Sequence, residues 1–143
     1  DRSRAVRDRR YKYIINHYSD LPATPPADAA RSDTFREMQR LRAGKKLPEV
    51  QSTCFRAPRP REELYDLTTD PHELNDLARD PVHQDTLERL RVEYKQWRLR
   101  TREQIPRLRT PDEFDRVTGK PTPARIRPRW SKAKMIEEGV LLP

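Results

Sequence analysis

Cysteine, glycine and apolar residues are all scarce in this chain, and each scarcity removes a class of explanation. Among 143 residues there is one cysteine, three glycines and two methionines, and apolar residues make up 33%. A single cysteine closes no internal disulfide, so the chain argues neither for nor against an oxidising compartment. Glycines at 44, 119 and 139 are too dispersed for a glycine-rich phosphate loop. No stretch approaches the roughly 18 consecutive apolar residues of a membrane span, so no membrane partner is expected. An ordinary globular domain is about 45–50% apolar on a slightly different residue set. The core predicted here is therefore small.

Charge and proline fill the space. Charged residues reach 38%, prolines number 14, the net charge is +8 and the mean hydropathy is -1.14. Such a chain is either well solvated or covered by something outside it. Two clusters carry most of this net charge: Arg2, Arg4, Arg7, Arg9, Arg10 and Lys12 at the start, and Arg125, Arg127, Arg129, Lys132 and Lys134 near the end. A basic balance suits nucleic acid or another polyanion, although charge clusters of this kind are more often solvated faces. The sequence begins at Asp1 rather than Met, which points to a processed product or a piece of a longer chain. No signal peptide is recognised in it.

Local patterns place the elements. Arg4 to Arg7 and Tyr11 to Asn16 read as two strands around a polar turn, with Tyr11, Tyr13 and Ile15 alternating against Lys12, Ile14 and Asn16. Three prolines in SDLPATPPADAARSD make a surface loop. A helix over about 33–43 follows, capped by Ser32 or Asp33, carrying Phe35, Met38 and Leu41 and ended by Gly44. The stretch STCFRAPRPREELYDL reads as extended, broken by Pro58 and Pro60, with a strand from Glu63 to Leu67. Asp70-Pro71 supplies a turn. HELNDLA should then form about one helical turn that buries Leu74 and Leu77. Asp80-Pro81 starts a long helix at about 81–101 whose stripe Leu87, Leu90, Tyr94 and Trp97 needs an apolar face, which the hairpin offers. After Ile105 the prolines forbid long elements, leaving short helices at Pro111 to Val117 and Ser131 to Glu138. Trp130, Ile136, Val140, Leu141 and Leu142 suit a docked tail.

The expected fold class is α+β, a small antiparallel sheet of about four strands packed against a long C-terminal helix, followed by a proline-rich tail. Residues 1–104 hold the sheet and helix, and residues 105–143 the basic tail.

The order RAVRDRRYKYIIN, ELYDLTTDPHELNDLARDP and TLERLRVEYKQW resembles the C-terminal subdomain of sulfatases of the alkaline-phosphatase-like superfamily, and most the N-sulfoglucosamine sulfohydrolase (heparan N-sulfatase) group. The family's phrase is E-L-Y-D, two or three residues, D-P-x-E, then N-x-L-A-x-D-P. Glu63 to Asp66, Asp70 to Glu73, Asn75, Leu77, Ala78, Asp80 and Pro81 match it in order. The likeness runs over residues 2 to 101, weakly from 20 to 58. It implies a fold in which a large N-terminal domain carries the chemistry, namely hydrolysis of sulfate esters or sulfamates by a formylglycine with calcium. The formylglycine is made from Cys or Ser in C/S-x-P-x-R. On that basis the partners are the N-terminal sulfatase domain, absent from this chain, and a sulfated carbohydrate or other sulfate ester. The family's usual compartments are periplasmic, secreted or lysosomal.

No catalytic, cofactor-binding or metal-binding residue is expected within the chain itself. Cys54 lies in C-F-R-A-P-R, with Arg56 and Pro58 where the signature needs proline and then arginine. A buried structural role is expected for it. His17, His72 and His83 form no H-x-H or H-x-x-x-H pair. Of the carboxylates Glu62, Glu63, Asp66 and Asp70, alternation sets Glu63 on the face opposite Glu62 and Asp66, so a charged strand edge accounts for them better than an acid–base pair. Basic residues near His17 and Arg56 are the candidates to face an anionic sugar, with no family motif that assigns them. The rival reading is a small basic nucleic-acid-binding protein, with Tyr11, Tyr13 and Tyr18 as stacking groups.

Overall fold

The computed structural model describes residues 2–23, 25–106, 109, 111–126 and 131–138. Trp130, Val140, Leu141, Leu142, Arg127 and Arg129 lie outside the described residues. Two units make up the chain, Asp1–Ala23 with Phe55–Glu103 and Thr24–Cys54 with Gln104–Pro143.

The first unit is an α+β layer. Strands β1 (Ser3–Arg7), β2 (Tyr11–Asn16) and β3 (Glu62–Asp66) form one antiparallel sheet in that order. The hairpin closes at Asp8, whose carboxylate Oδ1 accepts from the backbone N–H of Arg10 at 2.8 Å and Tyr11 at 2.6 Å, while the Asp8 N–H reaches the Tyr11 carbonyl at 3.0 Å. Aspartate favours this position because its short side chain holds the turn's own amides. Among the described residues the sheet has three strands, one fewer than expected. The outer side of β3 is occupied by a loop instead, with Asp76 Oδ1 accepting from Leu64 N–H and Leu77 N–H donating to the Leu64 carbonyl.

Register decides which face is apolar. Tyr13 pairs with Val6 on one side and Leu64 on the other, so all three share a face with Tyr11 and Ile15. Across that face lies the long helix, which opens with a 3-10 turn at Pro81–His83 and continues as α4 (Gln84–Thr101). Asp80 caps its start, accepting from Val82 N–H at 2.9 Å. Leu87, Leu90 and Tyr94 are buried with Tyr13 and Leu64, each of them at most 6% exposed. Burying each such side chain is worth roughly 1.5–3 kcal/mol. The predicted stripe therefore does meet the hairpin, although its last member, Trp97, is 37% exposed and stacks on Tyr94 with ring centroids 6.2 Å apart.

Between β3 and the long helix the expected helical turn is replaced by a loop. Asp70 Oδ2 accepts from the N–H groups of both Leu74 and Asn75 at 2.8 Å, and Asp76 accepts from Ala78 N–H at 2.9 Å. Carboxylates that bind nearby amides compete with the helical ladder, which is why this acidic segment does not coil. Glu73 takes a left-handed φ of 57° and pairs with Lys12 at 2.6 Å. Leu77 packs on the core as expected, but Leu74 is exposed.

In the second unit α1 (Ala27–Ala30) precedes α2 (Asp33–Ala43), which matches the predicted span and takes its N-cap bond from Ser32 to Phe35 N–H. Helix α3 (Glu49–Ser52) then runs into a 3-10 turn at Thr53–Phe55, so the stretch read as extended is helical up to Phe55. Proline at 48 starts that coil, and the Ser52, Thr53 and Cys54 side chains each bond the carbonyl three residues back. Pro111 to Val117 is not helical. Asp115 Oδ1 instead gathers the N–H groups of Val117 and Thr118, and Phe114 bridges to Pro121. Helix α5 (Lys132–Glu137) is capped by Ser131, close to its expected span.

Candidate functional site

Cys54 is half-buried and free, with Sγ 3.6 Å from the Gln51 carbonyl. Burial pushes its thiol above the ordinary value, the opposite of what a nucleophilic thiolate needs. His72 is exposed. His83 belongs to the helix start, where Nδ1 lies 3.1 Å from Asp80 Oδ2. Among the described residues no three of His, Cys, Asp and Glu gather into a set able to hold a metal ion. Among the described residues none is arranged to hold calcium, and Cys54, followed by Arg56 and Pro58, does not fit a formylglycine precursor.

The strand-edge carboxylates have structural partners. Glu62 is held by Arg91 through two bonds of 2.8 and 2.6 Å and also accepts from the Tyr13 hydroxyl at 2.7 Å. The Arg91 hydrogen bonds hold its carboxyl below the usual range. Glu63 accepts from Tyr65 and Asn16 on the other face, as alternation requires. Buried Asp66 takes a two-pronged contact from Arg10 and caps the following turn at Thr68. With the guanidinium forked onto it, Asp66 stays below the ordinary carboxylate value.

These pairings also reshape the basic cluster at the start. Arg2 and Arg4 bond Glu103, Arg10 bonds Asp66 and Lys12 bonds Glu73. Tyr13 is 1% exposed, and Tyr11 packs on the core with an edge contact to His83. The nucleic-acid reading thus loses two of the aromatic groups it relied on.

One cluster stands apart, at the end of the sheet beside the C-terminus of α4. Helix α4 closes with Arg102 in a left-handed conformation, φ 50°, its N–H bonded to the Leu99 carbonyl and the Glu103 N–H to the Arg98 carbonyl. This is the Schellman arrangement, and it turns the chain back so that Glu103 lies by the sheet. Arg2 and Arg4 both donate to Glu103 Oε1, at 3.2 and 2.6 Å, and the Glu103 side chain is only 8% exposed. His17, just beyond β2, shares a 2.7 Å hydrogen bond between Nε2 and the Tyr94 hydroxyl, and the Arg98 guanidinium stands 5.8 Å from the Tyr94 ring centre. Burial pushes the His17 imidazole below its ordinary value. Glu103 works against that shift, while Arg98, Arg2 and Arg4 reinforce it. Three atoms in the cluster are buried without a hydrogen-bond partner: Arg2 Nε, Arg98 Nε and Glu103 Oε2.

Of the two basic regions expected to face an anion, the structure assembles the one around His17. Arg56 is exposed. Arg98 and Glu103 carried no motif; the signal available was Arg98 at helical spacing from Tyr94, one turn before the helix end. A depression of roughly 460 Å³ in the second unit is lined by Asp112, Phe114, Arg116 and Thr122 among others, but Arg116 spends its guanidinium on Asp112 at 2.6 Å.

No family model matches the chain. Two curated proteins do. An ulvan-active sulfatase of Formosa agariphila is 44% identical over 95 residues, 66% of this chain and 16% of that protein. The N-sulphoglucosamine sulphohydrolase of Homo sapiens is 32% identical over 99 residues, 68% of this chain and 20% of that protein. The chain thus spans a fifth or less of the length of the curated relatives it matches. It is a sulfatase-related segment, similar to those enzymes over about two thirds of its own residues.

Proposed function

We propose that this chain supplies the C-terminal portion of a hydrolase acting on sulfate esters or sulfamates, with the formylglycine and the calcium ligands carried by sequence outside these residues. The observation that supports the reading is the agreement of motif with structure. In the phrase ELYDLTTDPHELNDLARDP the three aspartates that match the sulfatase pattern each hold backbone amides: Asp66 caps one turn, Asp70 the loop, and Asp80 the long helix. A segment that keeps such scaffolding and lacks a reactive set is suited to completing a fold and one rim of a cleft.

By itself the chain is inactive in this reading, and the substrate of the whole enzyme is a sulfated carbohydrate or another sulfate ester. Two measurements test this. The coding sequence immediately upstream should encode a C/S-x-P-x-R motif, and the purified 143-residue chain should show no release of sulfate from aryl sulfates or sulfated disaccharides. Turnover that persists in this chain after Cys54→Ala would sink the assignment of the chemistry to another region. An upstream sequence without the motif would sink the hydrolase.

A further inference from the structure

The cluster at the end of the sheet has more donors than its acceptor uses. Arg2, Arg4 and Arg98 bring three permanent positive charges, and His17 is held neutral beside them, against the single carboxylate of Glu103. Arg2 and Arg4 share one oxygen of that carboxylate, and its other oxygen is sealed from solvent with no donor. The Nε–H groups of Arg2 and Arg98 are sealed too and have no acceptor. Buried polar atoms almost always have partners, so two idle donors and one idle acceptor in one neighbourhood mark a place where a polar group is missing.

We propose that this cluster binds a sulfate group borne on a sugar, the oxyanion accepting from the Nε–H groups of Arg2 and Arg98 and a neighbouring sugar hydroxyl donating to Glu103 Oε2. An oxyanion fits because guanidinium groups present flat forks of donors to tetrahedral oxygens. The carboxylate excludes a second anionic group close by and selects a hydroxyl there. The Arg2 and Arg4 side chains are 24% and 37% exposed. In the proposed complex Arg4 swings off Glu103 to admit the ligand to the sealed atoms. The choice of sulfate and sugar over another oxyanion rests on the sulfatase reading; the donor geometry does not.

The test is a titration of the 143-residue chain at constant ionic strength, read from the His17 ring and arginine Nε–Hε resonances. The probes are a sulfated disaccharide, its unsulfated counterpart, its phosphorylated analogue and sodium sulfate. Saturable shifts at His17, Arg2 and Arg98 with the sulfated disaccharide, and none with the unsulfated one, are expected. Arg98→Gln and Arg2→Gln should each weaken binding about tenfold or more, the scale of one charge-assisted hydrogen bond. Arg98→Lys should weaken it as well, because it keeps the charge and loses the Nε–H. Lys95→Gln, which removes an exposed charge on the same helix, should leave it unchanged.

Full retention in Arg98→Lys, equal loss in Lys95→Gln, or equal binding of the unsulfated sugar overturns the site. Binding of sodium sulfate as tight as that of the sulfated disaccharide overturns the role of Glu103. If phosphorylated and sulfated sugars bind alike through Arg2 and Arg98 while the upstream sequence lacks the formylglycine motif, the oxyanion site stands and the sulfatase reading fails.

Discussion

The two units of this chain bury their interiors in opposite ways. In the sheet unit large side chains meet across a defined register, Tyr13 and Leu64 against Leu87, Leu90 and Tyr94. In the second unit the closest packing is of small residues on backbone: Ala30 is 1% exposed, and Gly119, with φ 67°, leaves no room for a Cβ, which would meet Arg31 Cγ at 2.5 Å and the Ala27 carbonyl at 3.2 Å. Helix α2 in that unit has no buried residue. Large-residue packing tolerates surface change around it, whereas small-residue packing depends on single positions.

The largest expected effect sharpens this contrast in the sheet unit. Leu64→Ala, at a fully buried position, should cost about 2–5 kcal/mol in equilibrium unfolding. Leu99→Ala, at a position 72% exposed on α4, should stay within about 0.5 kcal/mol. Similar losses from the two would mean that the sheet face is not the core.

Gly119→Ala comes next, at about 1–3 kcal/mol, since it adds overlap and strain at a positive φ. Hydrogen exchange should quicken at residues 27–31 and 115–120 and stay slow in β2. Equal loss of protection in both places would abolish the distinction between the units. Ser32→Ala removes the acceptor for Phe35 N–H and should cost about 1 kcal/mol, confined to α2.

The smallest effects are in pH. The backbone N–H of Tyr11, with help from Arg89 and Arg10, lowers the Asp8 carboxyl to about 2 from its ordinary 3.8. A carboxyl depressed on folding contributes stability that is complete above its unfolded value and is lost as pH falls through the folded one. Wild type should therefore lose that contribution between about pH 4 and pH 2, and Asp8→Asn should flatten the Tm profile there. His17 titrates in the same sense. Its neutral form is favoured in the fold, so its contribution is complete above 6.5 and lost at lower pH, with a ring titration midpoint below 6.5 by NMR. A midpoint above 6.5 would contradict the burial described for it.

How legible each unit was follows from the same contrast. Alternation in Tyr11 to Asn16 and the Leu87, Leu90, Tyr94 stripe are periodic signals, and the hairpin, the long helix and their contact could be read from them. Asp80-Pro81 and Ser32 announce helix starts through local chemistry, and both do so in the structure. The failures fall where side chains overrule periodicity: Asp70 and Asp76 unwind the HELNDLA segment, Asp115 unwinds the stretch after Pro111, and local bonds coil residues 49–55. In the candidate site His17 was visible as a basic neighbourhood. Arg2 was visible only as part of the basic start, and Arg98 and Glu103 not at all, because Arg2 and Glu103 meet across a separation of 101 residues once the Schellman turn folds the chain back.

Asn16 closes β2, and its buried amide donates to the Pro60 carbonyl and to Glu63 and accepts from the Ser3 hydroxyl. It is bonded to all three strands or their approaches, and one of its partners is 47 residues away. While the chain folds, β3 has to find the hairpin after a long search, and several alignments would hide some apolar surface. Only one of them satisfies this amide. A misaligned pairing strands its donors in the interior, so Asn16 acts as a proofreader of strand alignment, rejecting near-correct sheets that hydrophobic matching alone would accept.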